Sequence, residues 1–322
     1  MEQTDAGKEV HVGVDLITVG SFVVGATVRL PRVPYPGETL VGDMFDLGPG
    51  GKGSNLAVTA ARQGTRTGIV AKIGDDTFTR LALDLYEREG IDHTYVKITT
   101  EEQTAIGLVY LQESGENTIG LYRGANWLLS AEDVQEAFAG FGPARLVATQ
   151  LEIPDEAVSA AVSLGRRNGM TVILNPAPAR RVPQEILREV DILTPNEGEA
   201  RLLAGEDPTA GDPPVEEIGR TLLATGAGCV VITRGREGAV LFRKTDSPRH
   251  IPTFQVEPRD SVGAGDAFNG GLAAALCEGL SLDDALVRAA ATGALSTTGI
   301  GATGGLPDRE RVLGFIASGV RR

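Results

Sequence analysis

Short apolar runs of β-branched residues alternate with longer helical stretches along most of this 322-residue chain, and this constrains the fold most. Val14–Ser21, Thr67–Ile73, Arg145–Gln150, Thr171–Leu174, Ile192–Thr194 and Cys229–Thr233 read as strands. Between and after them, Leu56–Gln63, Phe78–Glu89, Asp155–Asn168 (capped by Asp155), Ala267–Cys277 and Leu282–Thr297 read as helices, several stopped by a glycine. Strands separated by helices of ten or so residues predict a mostly parallel sheet covered on both faces. Ala239–Arg243 and Ile251–Val256 read as further strands.

Two segments break this rhythm. Residues 22–47 carry Pro31, Pro34 and Pro36 among short alternating pieces, and residues 104–123 read as a hairpin turning at 113–116. They are expected to join as a small second sheet, a lid whose edges suit pairing with a second copy of the chain. The whole is expected to form one domain over residues 10–322.

Composition narrows the function. A net charge of −13 and a pI near 4.8 argue against nucleic-acid and anionic-membrane partners. Any site for a phosphorylated ligand must be locally positive. No apolar run reaches the roughly 20 residues of a membrane helix, and the first residues lack the pattern of a secretory signal. Cys229 and Cys277 fall in apolar segments and read as buried thiols, which suits a reducing cytoplasm.

The chemistry concentrates in glycine-rich turns. Pro258–Leu272 runs from a turn containing Gly263, Ala264 and Gly265 into an apolar helix. Free N–H groups and the positive end of the dipole at a helix start suit a phosphate. Asp266 there is either an ordinary N-terminal acid or a base toward a hydroxyl attacking a phosphoryl group. The stretch is neither a Walker A loop nor a dinucleotide fingerprint. Asn196 and Glu199 read either as a helix start or as oxygen ligands for a water-coordinated Mg²⁺. Glu152 is either solvated or an acceptor for ligand hydroxyls. Lys52 is either exposed or in contact with a substrate oxygen. Trp127, the single tryptophan, is read as packing. The polar pieces at 50–55, 150–152, 175, 196–199, 233–238 and 263–266 all follow strands, and a single cleft beyond the C-terminal strand ends would unite them.

Taken in order, these motifs resemble the ribokinase, or PfkB, family of carbohydrate kinases over nearly the whole chain. Gly50-Gly51-Lys52-Gly53-Ser54-Asn55-Leu56-Ala57, with Gly64 and Gly74, resembles the N-terminal signature. Asp260–Asp266 resembles the C-terminal one, with Ser261 in place of threonine. Pro36-Gly37-Glu38-Thr39, Gly124-Ala125-Asn126, Gln150-Leu151-Glu152, Asn175-Pro176-Ala177-Pro178 and Pro195-Asn196-Glu197 lie between them. The resemblance implies a ribokinase-like three-layer α/β/α sandwich with a β-sheet lid, and transfer of the ATP γ-phosphoryl group to a sugar hydroxyl. It implies Asp266 as general base and the Gly263, Ala264 and Gly265 backbone as an anion hole. Gly51, Lys52, Gly53, Asn55 and Glu152 would face the sugar. Asn196, Thr233, Gly235, Gly238 and Gly265 would serve the nucleotide, and Glu199 would hold Mg²⁺ through water. A K⁺ site would involve Asp260, Val262, Ser296, Gly299, Gly301 and Gly305. A cytoplasmic homodimer joined through the lid is expected.

The chain departs from the family at two places. Where the family reads Gly-Ser-x-Asn-x-Asp, with the last two polar residues gripping ribose, this chain reads Gly20-Ser21-Phe22-Val23-Val24-Gly25. Losing a charge-assisted hydrogen bond costs about 1.5–3 kcal/mol, so either the acceptor is not ribose or ribose binds weakly. Gly305 stands where a serine often assists the K⁺ site. A nucleoside or sugar-acid kinase of the same family, and a non-catalytic sugar or nucleotide sensor, are the alternatives.

Overall fold

The computed structural model describes residues 13–112, 117–206 and 213–319. The expected hairpin turn at 113–116 and the first and last residues of the expected domain lie outside them. In chain order come β1 (Leu16–Val19), β2 (Val23–Leu30), β3 (Met44–Gly50), α1 (Lys52–Arg62), β4 (Thr67–Gly74), α2 (Thr79–Arg88) and β5 (Asp92–Thr99). Next are β6 (Ala105–Gln112), β7 (Asn117–Tyr122), α3 (Ala131–Phe141), β8 (Leu146–Gln150), α4 (Asp155–Arg167), β9 (Thr171–Asn175) and the single turn α5 (Gln184–Leu187). The C-terminal part holds β10 (Ile192–Leu193), α6 (Glu197–Ala204), α7 (Val215–Ala224), β11 (Cys229–Thr233), β12 (Ala239–Arg243), β13 (Arg249–Ile251), α8 (Ala264–Cys277), α9 (Leu282–Ser296) and α10 (Arg309–Ala317).

Nine strands form the main sheet in the order β13-β12-β11-β10-β9-β8-β1-β4-β5. All pair in parallel from β11 to β5, and only β12 is reversed, pairing antiparallel with β11 and with β13. Every residue of β1 and β8 is buried, as a strand covered on both faces requires. One core packs α3, α4 and α7 on one face, through residues such as Phe138, Val158 and Leu222. The other packs α1, α8, α9 and α10, through Leu56, Leu272, Leu286 and Val312. This is the expected three-layer arrangement.

The second sheet also forms, in the order β3-β2-β6-β7. Its centre is the parallel pair β2–β6, from segments about 80 residues apart, flanked by antiparallel β3 and β7.

Several expected boundaries are corrected. Helix α1 begins at Lys52, not Leu56, and α8 begins at Ala264, not Ala267. Glycine lowers helix propensity, which disguises first turns containing Gly53 and Gly265. Asp155 does not cap α4; Pro154 occupies that place, and the Asp155 carboxylate pairs with Arg180 instead. The strand expected over 251–256 stops at Ile251, because Pro252 has no N–H to continue the ladder. Strand β5 and helices α3, α7 and α10 were not expected.

Helices α1 and α8 lie side by side. A methyl group on Gly270 of α8 would fall 2.4 Å from Thr59 Cβ and 2.7 Å from Leu56 O of α1. Only glycine permits that approach, and it brings the two N-termini together over the ends of β1 and β8.

Candidate active site

Strand order reverses between β1 and β8. After β1 the chain builds outward through β4 and β5, then returns to β8 and builds the other way. Ligands of open α/β sheets bind at such a switch point, beyond the C-terminal strand ends. Ser21, two residues past β1, and Glu152, two past β8, meet there: Ser21 Oγ donates to Glu152 Oε2 at 2.5 Å. The backbone N–H of Lys52 donates to the same oxygen at 3.0 Å. Glu152 is therefore held at a fixed place through one of its two oxygens.

Lys52 occupies the first position of α1, where a cation faces the positive end of the dipole. Helix formation alone does not favour it there. Its ammonium lies 3.9 Å from Asp266 Oδ1. Burial alone would lower its pKa, but the charges of Asp266, Glu152 and Glu199 prevail and hold it above the ordinary value. Lys52 is the positive centre of a cluster of three carboxylates.

Asp266 is 4% exposed and sits in the first turn of α8. It does not cap its own helix. Its Oδ2 accepts from Asn55 Nδ2 at 2.8 Å, across from α1. Burial raises its pKa to about 6; Lys52 and the Asn55 hydrogen bond oppose the rise, and Glu152 and Glu199 add to it. A carboxyl poised near neutrality beside an open turn has the character of a general base. The turn is shaped by Gly263, whose φ of 78° is left-handed and suits glycine. A methyl on Gly265 would meet nothing within 4 Å, so that backbone is open to a ligand.

Of the expected nucleotide-side residues, Thr233, Gly235, Gly238 and Gly265 border a cleft of about 680 Å³, with Ser261 and Ala264 beside them; Asn196 is not in its lining. The cleft thus runs up to the turn that carries Asp266. Asn196 and Glu199 form a reciprocal cap of α6: Asn196 Oδ1 accepts from the Glu199 N–H, and Glu199 Oε2 accepts from the Asn196 N–H, each at 2.8 Å. The helix-start reading of this pair is thereby realised. Burial nonetheless raises the Glu199 pKa, partly offset by the Asn196 hydrogen bond and by Lys52, which places Glu199 beside the same cluster.

Around the expected cation positions, Asp260 Oδ1 accepts from the Val262 N–H at 2.9 Å and Oδ2 from the Gly301 N–H at 3.0 Å. Ser296 Oγ is engaged with Gly293 O. Gly299 and Gly305 are in such close contact that a methyl on Gly299 would fall 2.4 Å from Gly305 Cα.

Sequence reasoning missed three residues that position the site. Ser21 holds Glu152. Asn126 clamps Phe22, next to Ser21, by bonds to both its N–H and its carbonyl. Asn269 donates to Gly265 O and accepts from Thr194 Oγ1, tying the glycine turn to the end of β10. The four-residue spacing of Asn269 from Gly265 was the available signal. Trp127 is also more than packing: it is 36% exposed, with Arg123 stacked 4.3 Å from its ring centre. Lid positions 23 and 25 present only an isopropyl group and a hydrogen.

Comparison with known proteins agrees with this geometry. A family profile described as pfkB family carbohydrate kinase matches residues 15–309. The ribokinase of Haemophilus influenzae is 36% identical over 301 residues, covering 94% of this chain and 98% of that protein. The deoxyribokinase of Salmonella typhi is 32% identical over 304 residues, covering 94% and 99%. Among solved structures, the ribokinase of Thermotoga maritima superposes with a TM-score of 0.84 at 32% identity, covering 94% of this chain and 99% of that one. Arabidopsis thaliana ribokinase, complexed with ribose and ATP, superposes with a TM-score of 0.81 at 29% identity, covering 95% and 99%.

Proposed function

The chain belongs to the pfkB family of carbohydrate kinases and is an ATP-dependent sugar kinase of ribokinase type; on that premise we propose that Asp266 is the base that activates the acceptor hydroxyl. Asp266 takes the hydroxyl proton as the oxygen attacks the γ-phosphorus of ATP. The bond to the β,γ-bridging oxygen breaks, and ADP leaves with its electron pair. The N–H groups of Gly263, Ala264 and Gly265 receive the negative charge of the phosphoryl group in flight. Lys52 keeps Asp266 ionisable despite burial, and Asn55 fixes the direction of its carboxylate. Glu152, held by Ser21, with Gly51 and Gly53 beside it, orients the sugar. Thr233, Gly235, Gly238 and Asn196 serve the nucleotide.

The observation that carries this reading is the buried Asp266 carboxylate, raised to about 6 and bordering the nucleotide cleft. The acceptor is a small carbohydrate presenting a primary hydroxyl, ribose or a related sugar such as the relatives' names indicate. An ADP-release assay over pentoses, deoxypentoses, ketohexoses, sugar acids and nucleosides tests it. Absence of turnover on all of them, with Mg²⁺ and K⁺ supplied, counts against the assignment.

A Mg²⁺ ion fits this site only as a passenger of the nucleotide. No group of three acidic, histidine or cysteine side chains that could hold a metal occurs among the described residues, whereas Glu199 keeps one oxygen outside its helix cap. Glu199 would hold the ion through water, and the ion would neutralise phosphate charge. A K⁺ ion would be held by the loops around Asp260, Val262, Ser296, Gly299 and Gly301, two of which Asp260 ties together through the Val262 and Gly301 N–H groups. It would supply fixed positive charge behind the anion turn. Gly305 fits that loop sterically, since a methyl there would fall 2.4 Å from Ser296 O.

We take the chain as one kinase unit with the small sheet as its lid, and as a homodimer joined there. Phe45, Leu47, Leu108 and Tyr122 share one face of that sheet by strand register and are 68, 48, 51 and 46% exposed. No helix among the described residues is long and apolar enough to cross a membrane. Work in the cytoplasm is proposed on the strength of Cys229 and Cys277, both free and buried.

A further inference from the structure

The Arg123–Trp127–Arg180 stack is the feature that the phosphoryl-transfer machinery leaves unused. Arg123 Cζ lies 4.3 Å from the centre of the Trp127 ring and Arg180 Cζ 5.9 Å from it. Two guanidinium groups therefore share one indole. Burial first, and the charge of Arg123 second, hold the Arg180 pKa below its ordinary value. Like charges are placed together here at a cost. Among the described residues Arg180 has one carboxylate partner, Asp155. Among the described residues Arg123 has no carboxylate within ion-pair distance. One positive charge of the pair is thus left over, in a chain whose net charge is −13.

The location gives this charge a purpose. Arg180 donates to the carbonyls of Leu151 and Ile153, the residues on either side of Glu152. Trp127 follows Asn126, which clamps Phe22 next to Ser21, the residue that holds Glu152. In the small sheet, Ala105 pairs with Val23 and Val23 with Gly50, and Arg123 follows β7 directly after the Ile106–Tyr122 pair, where the backbone turns helical (φ −69°, ψ −36°). One row of the sheet runs Gly50, Val23, Ala105, away from the glycine turn of the site. Val23 and Ala105 offer no polar side-chain group, and Gly25 offers none either. The cationic stack begins with Arg123, just past the end of β7.

We propose that the acceptor is an anionic sugar, whose carboxylate or phosphate is held by Arg123 and Arg180 while its hydroxyl reaches Asp266. This rests on the kinase reading above and names the acceptor class. Planar guanidinium groups bind such oxyanions in bidentate fashion, and the indole keeps both planes in place.

Trp127 is the only tryptophan, so its fluorescence reports this site whether or not turnover occurs. The full chain is titrated at constant ionic strength with D-gluconate, D-fructose 6-phosphate and D-ribose, and ADP release is measured with each. One of the two anions is expected to change the fluorescence saturably and to exceed ribose in kcat/KM; which one does so separates carboxylate from phosphate. Arg123→Gln is expected to raise the KM for that anion about 10- to 100-fold and to collapse its preference over ribose. The proposal is overturned if neither anion moves the fluorescence, if ribose is the better acceptor, or if Arg123→Gln leaves the anion-to-ribose ratio unchanged. If no acceptor is turned over, the kinase reading fails separately, and the fluorescence titration of wild type and Arg123→Gln still decides the anion site.

Discussion

Asn55 donates its side-chain amide to Asp266 at 2.8 Å across 211 residues of chain, joining the first turns of two helices that only their glycine contacts allow to meet. The contact holds the carboxylate across to α1 rather than onto the N-terminus of its own helix.

Replacing that carboxylate by its amide would remove the proposed base without removing the shape. Asp266→Asn is expected to lower kcat about 100- to 10,000-fold, with ATP affinity near wild type. Single-turnover phosphoryl transfer checks it, and a variant as fast as wild type excludes Asp266 from the role.

With Asp266 as the proposed base, its raised pKa should set the acid limb of activity. The base must be ionised, so kcat/KM should fall below a pH of about 6. The stability sign is opposite. A carboxyl whose folded pKa exceeds its unfolded value favours the folded state at low pH, and that contribution fades as pH rises from 3.8 through about 6. Melting temperatures of wild type minus Asp266→Asn should therefore be more favourable to wild type at pH 4 than at pH 8. A difference that does not vary with pH would mean the group titrates normally.

Lys52 opposes the burial of Asp266. With Lys52→Met the acid limb should move to higher pH, because only burial and the like charges remain against one hydrogen bond. A pH–rate profile decides this. An acid limb that stays in place would show that Lys52 acts on the substrate alone.

Gly25 has room for a side chain: a methyl there would meet only Gly48 O, at 3.7 Å. Gly25→Asp restores a hydroxyl acceptor to the lid and should tighten ribose binding about tenfold or more. Calorimetry with ribose checks it, and unchanged affinity would mean that the pocket is rebuilt elsewhere.

Two glycines in helices should respond oppositely to alanine. Gly270→Ala forces a methyl into Thr59 and should cost about 1–3 kcal/mol, while separating Asn55 from Asp266 and lowering activity. Gly314→Ala, exposed and with nothing within 4 Å, should gain about 0.5–1 kcal/mol. Thermal melts of both variants are the check.

The buried strands were legible because a parallel strand covered on both faces must be largely apolar, as Leu16–Val19 and Cys229–Thr233 are apart from one threonine each. The half-buried edge strand Asp92–Thr99 carries no such run and escaped notice. Helix α3 escaped although Ser130 and Asp133 spell its cap in the sequence. The first turns of α1 and α8 were hidden because the glycines that open a site to ligand are the residues that weaken a helix.

Residue order alone determined which chemical groups this protein owns and which strand ends present them, since periodicity and turn chemistry are local. Tertiary structure decided which of those groups touch: Ser21 with Glu152, Asn55 and Lys52 with Asp266, Arg123 with Trp127 and Arg180. Charge, burial and pKa depend on distances across the sheet, and no spacing along the chain encodes those distances.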